Sequence, residues 1–434
     1  MKTVFLFVDK PAFLGDLLNT GYIKHLADKY YVVVFVYKSG VWAKDLNYFQ
    51  SPNITYVDWK IENAKLFGAM KFVRFSCIRE FDHLKTAQYY RKRRGQDSDN
   101  TLLRIISKPL AGLFTSSFFY KLELLFIKKS RLFNSYVEKY KPSLVIVATP
   151  GLNTLEAEAV LLARKHGIKS VSVDCNWDGL ETRVTRVRPT DFFIAWHEPM
   201  KKEAVSIHHF NPAKVFVSGP VRFDYHFSSD AKIQSREDFL GSKKLNPANK
   251  TILYSSQKGH LFEEAFLKKL IALRASGAIP YGNILVRVHP VAKTGRFGEF
   301  SGLADVHMEK PPEVMAVPDL INLRQSLLYC DININYSSSI SLEAILLDKP
   351  VINYIEPGMP IYDYDHYRPL VEAGAVRLVS QNQDDLARAI NGYLDNPGLD
   401  RENRKETAKI YFPFQDGSSS KRNVDHLETI IGMN

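Results

Sequence analysis

Residues Asp331 to Tyr354 read DININYSSSISLEAILLDKPVINY. Asp331 to Asn335 alternates around Ile332 and Ile334 and predicts a buried strand. Val351 to Tyr354 is again short and β-prone. Between them Ser339 or Ser341 can cap a helix carrying Leu342, Ala344, Ile345 and Leu346, and Pro350 forbids its continuation. A strand, a hydroxyl-rich turn and a helix start together predict an anion site, because the first helical N–H groups lack partners and the dipole favours negative charge.

The same order of elements extends in both directions. Upstream, strand Thr251 to Ser255 leads through QKGH into a helix from about Leu261 to Ala275. Strand Ile284 to Val288 ends in His289-Pro290 and a basic loop, and a strand near Asp305 to Met308 precedes a helix from about Leu320 to Cys330. Downstream, strand Val376 to Ser380 and a helix from Asp384 to Leu394 complete a unit over 251–400, and residues 401–434 read as helices able to cross back to the first half. The first half, 1–227, opens with strand Thr3 to Val8, a helix from about Gly15 to Tyr30, and strands Tyr31 to Tyr37 and Ile54 to Trp59. It resumes with strands at Leu144 to Ala148, Ser170 to Asp174, Phe192 to Trp196 and Val215 to Ser218. Strands alternating with helices predict two parallel, doubly wound α/β sheets, joined by a polar linker over 228–250.

Residues from about 61 to 140 break this alternation with aromatics and basic side chains: Tyr89, Tyr90, Arg91, Lys92, Arg93 and Arg94, then LAGLFTSSFFY at Leu110 to Tyr120, then Lys128, Lys129 and Arg131. This helical insertion is either a hairpin packed on the sheet with a solvated basic loop or an amphipathic pair lying on an anionic membrane face.

The chain has 434 residues, too many for one core, with 45% hydrophobic and 24% charged residues, as in ordinary globular proteins. Its three cysteines, Cys77, Cys175 and Cys330, are too dispersed for a disulfide framework or a zinc motif and fit a reducing compartment. Asp9 and Lys10 interrupt the first apolar run, so no signal peptide is expected, and no run approaches a spanning helix. Cytoplasmic placement follows, with peripheral contact at the inner membrane face as an option. A net charge of +11 suggests anionic partners without choosing among them. P-loop, GxGxxG, HExxH, GxSxG and CxxC motifs are absent, which argues against P-loop NTPases, dehydrogenases, zinc proteases and α/β-hydrolases.

In open α/β sheets, ligands bind beyond the carboxyl ends of the strands, where the polar residues of this sequence gather. Ser337, Ser338 and Ser339 can hold phosphate oxygens or simply cap the helix. Glu343, one turn further on, suits a ribose diol or merely complements the helix dipole. His289 can contact a phosphate or move a proton near neutral pH, and can equally be structural. Gln257, Lys258 and the basic loop Lys293 to Arg296 can neutralise a diphosphate. Arg287 lies either on a solvent face or aimed inward. In the first half, Asp9, Asp16, Asp178 and Glu181 are candidates to activate an acceptor hydroxyl. Asp178 leads them, because the adjacent Trp177 can stack on a sugar or base, although Asn176 to Gly179 can equally be a turn.

The order of His289-Pro290, Asp331, Tyr336-Ser337-Ser338, Glu343-Ala344 and Lys349-Pro350-Val351-Ile352 resembles the C-terminal half of GT-B-fold glycosyltransferases. It is most similar to the bacterial surface-polymer enzymes near the CDP-glycerol glycerophosphotransferases and the UDP-N-acetylglucosamine 2-epimerase-like superfamily. CNWDGLETR (Cys175 to Arg183) with VSGPVRFD (Val217 to Asp224) is similar to the S-W-D-N-x-T stretch of related surface-carbohydrate transferases. The resemblance implies a GT-B-like architecture, two Rossmann-like domains facing across a cleft. The first domain would bind acceptor and the second a nucleotide-activated donor. Ser337 and Ser338 would hold the donor phosphates, Glu343 the ribose, and His289 the pyrophosphate or the chemistry. The expected activity is sugar transfer from a nucleotide-sugar to a cell-surface glycan or lipid-linked acceptor, as in capsule or lipopolysaccharide synthesis. No metal, no resident cofactor and no nucleic-acid partner are implied. Asn335 stands where many glycerophosphotransferases are acidic, Val288-His289 where they carry two histidines, and Ser337 to Ser339 where the epimerases have Ser-Gly-Gly. A glycerophosphotransferase-like polymer enzyme, a nucleotide-sugar 2-epimerase or hydrolase, and a non-catalytic membrane-associated scaffold remain alternatives.

Overall fold

The computed structural model describes residues 1–37, 48–96, 110–228, 232–257, 262–289, 297–310, 316–355, 361–380 and 382–433, with the backbone alone at 93–96 and 361. Two compact units divide it: Met1–Asp224 with Phe414–Asn434, and Tyr225–Pro413. The C-terminal helices split accordingly, Arg401–Tyr411 staying in the second unit and Ser419–Gly432 joining the first.

The first unit is built on a seven-stranded parallel sheet: β1 (Thr3–Val8), β2 (Tyr31–Val36), β3 (Ile54–Asp58), β4 (Leu144–Val147), β5 (Ser170–Ser172), β6 (Phe192–Ala195) and β7 (Val215–Val217), in the order β3-β2-β1-β4-β5-β6-β7. Helices cover both faces of such a sheet, so its central strands read as unbroken apolar runs; Val4 to Val8 are all buried. The order reverses between β1 and β4, the switch point at which doubly wound sheets bind ligands. The helix expected over 15–30 is two helices, Pro11–Asn19 and Tyr22–Lys29. Gly21, at φ +74°, turns the chain between them. Ser419–Gly432 packs on Tyr22–Lys29, where the Tyr22 hydroxyl donates to Asn423 (3.2 Å) and Lys29 pairs with Asp425 (2.8 Å) and Glu428 (2.7 Å).

The described part of the insertion is helical: Ala64–Cys77, Lys85–Gln96, Ser116–Phe126 and Arg131–Tyr140. A buried ionic knot fixes it to the body. Glu123 accepts from Arg188 Nε (3.0 Å) and Nη2 (2.6 Å) and pairs with Arg74 (3.5 Å). Arg91 is spent on packing as well, donating to the carbonyls of Phe75 and Ile78 and pairing with Asp82 at 2.7 Å.

The second unit has a six-stranded parallel sheet: β8 (Thr251–Ser255), β9 (Asn283–Arg287), β10 (Val306–Glu309), β11 (Ile332–Asn335), β12 (Val351–Tyr354) and β13 (Arg377–Val379), ordered β10-β9-β8-β11-β12-β13. Its switch point lies between β8 and β11. The register Ile332 to Ile252 through Asn335 to Ser255 brings the residues after Ser255 and those after Asn335 to the same edge. Two parallel sheets with flanking helices make this a two-domain GT-B-like α/β fold. No helix among the described residues is long and apolar enough to cross a membrane.

Candidate functional site

In the second unit, the turn after β11 is held from beneath by a buried polar network. Asn333 and Asn335 project from the same side of β11, and Asn335 Nδ2 donates to Asn333 Oδ1 (2.7 Å) and to Ser341 Oγ (3.0 Å). Asn353 Nδ2 of β12 donates to Asn335 Oδ1 (3.1 Å), the Tyr367 hydroxyl donates to Ser341 Oγ (2.8 Å) and to Asn353, and Asn333 reaches Ser255 Oγ (3.0 Å). Each group is fully or nearly fully buried, where a polar atom left without a partner costs about 1–3 kcal/mol. The network therefore specifies one geometry.

Its product is an unusual turn. The Ser338 N–H donates to Asn335 Oδ1 at 3.0 Å, and Ser337 sits at φ +46°, a left-handed conformation that costs a non-glycine residue about 1–2 kcal/mol. Ser339 is the N-cap of the seven-residue helix Ile340–Leu346, yet its side chain makes no capping hydrogen bond. Ser341, the other expected cap, is instead engaged in the network below. Simple capping thus does not account for the serines.

Across the switch point, Gln257 bridges the two loops. Its side-chain amide donates to the Tyr336 carbonyl, and its backbone N–H donates to buried Glu263. The His289 N–H donates to Ser256 Oγ (2.9 Å), and the Ser256 N–H to the Arg287 carbonyl (3.0 Å), so His289 leaves β9 beside the β8 loop. Lys258, Pro290 and Lys293 to Arg296 lie outside the described residues.

Two expected donor contacts are occupied otherwise. Arg287 is buried and pairs with Glu309 of β10 at 3.0 Å, and Lys243 pairs with the other oxygen at 2.9 Å. Burial alone would push the Glu309 carboxyl up, but Arg287 and Lys243 outweigh it and hold it below its ordinary range. Of the two readings of Arg287, a solvent face or a charge aimed inward, the structure shows the second, with the guanidinium held by Glu309. Glu343 is likewise buried. It accepts from the Tyr225 hydroxyl and meets His226 Nε2 at 2.9 Å. The spacing of Glu343 from Ser339 gave no hint of partners more than 100 residues earlier in the chain.

In the first unit, the carboxyl ends of β1, β4 and β5 gather Asp9, Lys10, Glu156, Asp174, Asp178 and Arg183. Burial and Arg183 push the Lys10 ammonium down, while Glu156, Asp9 and Asp178 pull it up, so all four charged groups lie within electrostatic reach of Lys10. Burial raises Asp9 against the counter-pull of Lys10. Glu156 is wholly buried; its Oε2 accepts from the Thr149 hydroxyl and from Asn153 (3.3 Å), and burial pushes it up to about 8. Asp174 is also wholly buried and raised. Asp178, half-buried, precedes the short helix Gly179–Thr182 and accepts through its carbonyl from the Thr182 N–H and hydroxyl, both at 2.9 Å, so the stretch is indeed a turn. Trp177 is buried, not presented for stacking. Glu181 is buried and accepts from the Thr86 hydroxyl at 3.4 Å, and Asp16 lies 4.0 Å from Arg222. Lys10, Glu156 and Arg183 were not among the sequence candidates; an Asp-Lys pair ending the first strand and Asn-x-x-Glu opening a helix were the available signals. No group of three or more metal-ligating side chains occurs among the described residues.

Residues 158–429 match the family model described as CDP-glycerol:poly(glycerophosphate) glycerophosphotransferase. No curated protein matches the chain in sequence. Among solved structures the chain is similar to UDP-GlcNAc 2-epimerase from Neisseria meningitidis, a structure bound to UDP-GlcNAc (17% identity, TM-score 0.55, covering 99% of this chain and 100% of that one). It is similar as well to UDP-GlcNAc 2-epimerase from Methanocaldococcus jannaschii (16%, 0.58, 99% and 100%). A glycosyltransferase from Rickettsia africae also aligns (12%, 0.55, 100% and 99%). At these identities the likeness is one of fold.

Proposed function

The chain belongs to the CDP-glycerol:poly(glycerophosphate) glycerophosphotransferase family, and from that premise we propose that it moves a glycerophosphate-type unit from a nucleoside-diphosphate-linked donor to a hydroxyl of a surface-polymer acceptor. It is a transferase of the GT-B fold. In this reading the second unit binds the donor, with its phosphates on the Ser337–Ser339 turn. The observation that carries the reading is that turn: strained at Ser337, pinned by Asn335, and unexplained by capping. Strain maintained by a buried network is typical of ligand sites. His289 and Lys258 complete the phosphate environment and neutralise the leaving group without a resident metal. The donor ribose takes the place of the Tyr225 hydroxyl on Glu343, and Gln257 keeps the two loops in register.

The acceptor belongs to the first unit, where Asp9 and Asp178 at the strand ends supply carboxylates to orient and deprotonate its hydroxyl. The acceptor is lipid-linked, and the insertion lies on an anionic membrane at the cytoplasmic face. The exposed Leu113 (65%), Leu125 (73%) and Phe126 (58%), with exposed Lys121, Lys128, Lys129 and Arg131 close by in sequence, support this. Arg91, committed to packing, has no part in it.

The transfer itself is testable by its leaving group. Moving glycerophosphate from CDP-glycerol cleaves the phosphoanhydride and releases CMP, the acceptor oxygen forming a new phosphodiester. Sugar transfer from a nucleotide-sugar, the reading favoured by sequence, would release a nucleoside diphosphate instead. Incubation with CDP-glycerol or UDP-sugars, with and without a glycerophosphate-primed lipid acceptor, should give acceptor-dependent CMP. Acceptor-dependent UDP would replace glycerophosphate by a sugar. Donor turnover without acceptor would mean an epimerase or hydrolase, and no turnover at all a scaffold.

A further inference from the structure

Glu343 is 3% exposed, and a buried carboxylate must be held by donors. Two consecutive residues are placed to supply them: the Tyr225 hydroxyl and His226 Nε2 both meet the same oxygen, Oε2. In a strand, neighbouring side chains point to opposite faces. These two converge because they end the 3₁₀ turn Val221–His226, where their ring centroids lie 4.1 Å apart. Tyr225, His226 and Glu343 all belong to the second unit.

Burial separates the roles of the two partners. The His226 side chain has no exposed surface, so it cannot leave Glu343 without stranding buried polar groups. Tyr225 is half-buried, so its phenol can turn into water and keep a hydrogen bond there. The backbone beneath it is pinned: Arg324 Nη1, on the helix Val317–Tyr329, donates to the carbonyls of Tyr225 (3.2 Å) and Ser228 (3.0 Å). The Ser228 N–H donates to the Tyr225 carbonyl as well (3.4 Å). Departure of the phenol is therefore a side-chain rotation on a fixed strap of backbone. A phenol also mimics a ribose hydroxyl, since each offers one O–H donor to a carboxylate.

We propose that Tyr225 is an internal competitor for the nucleotide ribose, its hydroxyl standing on Glu343 until the ribose displaces it, and that His226 is the positioning residue that stays behind and orients the carboxylate. The proposal rests on the reading of Glu343 as the ribose carboxylate of the donor site. It adds a regulation of affinity to that reading: part of the ribose's binding energy goes into displacing Tyr225, so nucleotide is held more weakly than the site geometry permits. The same competition favours departure of the product nucleotide, a step that limits the rate of many enzymes.

The test is isothermal titration of CDP and UDP, each beside its 2′,3′-dideoxy analogue, into the full chain as wild type, Tyr225→Phe, His226→Ala and His226→Gln. Phe keeps the ring and lacks the hydroxyl. The nucleotide that binds the wild type should therefore bind Tyr225→Phe about tenfold tighter, the effect of one hydrogen bond to a charged group. The dideoxy analogue has no hydroxyl with which to displace Tyr225, and its weaker affinity should be the same in both proteins. A merely structural loosening would move both ligands alike. His226→Ala should weaken the nucleotide about tenfold, and His226→Gln, whose side-chain amide can donate in place of Nε2, should restore most of the loss. Unchanged or weaker binding by Tyr225→Phe, or an equal gain for the dideoxy analogue, overturns the competition. Equal losses in His226→Ala and His226→Gln, or no loss in either, overturn the positioning role. Failure of the underlying reading looks different. Equal binding of a nucleotide and its dideoxy analogue by the wild type removes the ribose from Glu343. Binding of neither nucleotide by wild type or Tyr225→Phe removes the donor site and both roles with it.

Discussion

Replacing Glu156 by Gln should change the pH dependence of stability more than stability itself. Glu156 is wholly buried, and its Oε1 has no hydrogen-bond partner among the described residues. Burial raises it from 4.5 to about 8. A carboxyl raised in the folded state keeps its proton there after the unfolded chain has released it. Its favourable contribution is therefore complete below pH 4.5 and is lost progressively as pH rises to about 8. The slope is about 1.4 kcal/mol per pH unit across that window, on the order of 5 kcal/mol in all. Gln cannot ionise in either state and preserves the shape, accepting through its oxygen from Thr149. Urea denaturation of wild type and Glu156→Gln at several pH values across the window measures the difference. The variant should gain relative stability with each step in pH, whatever constant offset its amide introduces. An offset that is the same at every pH would refute the assignment of a buried, protonated Glu156.

Four further outcomes follow from particular contacts. Asn335→Leu leaves Asn333, Asn353 and the Ser338 N–H short of partners and should cost about 2–4 kcal/mol in urea melts, with loss of nucleotide-induced stabilisation. Arg287→Met removes the cation on Glu309 Oε2, leaving Lys243, Asn322 and Ser326 on the other oxygen, and should cost about 3–5 kcal/mol. Nucleotide affinity in the folded fraction should be unchanged, because Arg287 holds Glu309 and not the donor; calorimetry separates the two effects. Leu125→Ser with Phe126→Ser should abolish co-sedimentation with phosphatidylglycerol vesicles, while replacing Lys128 and Lys129 by Glu should weaken it and flatten its salt dependence. Transfer should persist in EDTA after dialysis; abolition with recovery on adding Mg²⁺ would overturn the metal-free reading.

The thirteen strands among the described residues were all legible because parallel strands covered on both faces are short apolar runs between breakers, a pattern that is local in sequence. The break at Gly21 was missed since a single glycine inside a helical pattern is ambiguous until its φ is known. The serine turn was legible as a phosphate site, but its cause was not. Asn333, Asn335 and Asn353 interrupt strands at alternate positions, and only tertiary placement shows that they meet Tyr367 and Ser341. The partners of Arg287 and Glu343 were missed for one reason: a charged residue at a strand or helix end looks available when its partner lies in a distant part of the chain. Glu309, Tyr225 and His226 are such partners. The pairing of Glu123 with both Arg74 and Arg188 was invisible in the same way.

The central claim is that the Tyr336–Ser339 turn holds the phosphates of a nucleotide-activated donor. Ser338→Ala tests it cleanly, because the bond from the Ser338 N–H to Asn335 belongs to the backbone and survives the substitution. Thermal shift of wild type and Ser338→Ala with CDP, CMP, UDP, GDP and ADP is the measurement. One nucleotide, expected to be a cytidine nucleotide, should stabilise the wild type by about 2.7 kcal/mol at a hundredfold excess over its Kd, and Ser338→Ala should lose most of that gain. Stabilisation of both proteins alike, or of neither by any nucleotide, would contradict the claim.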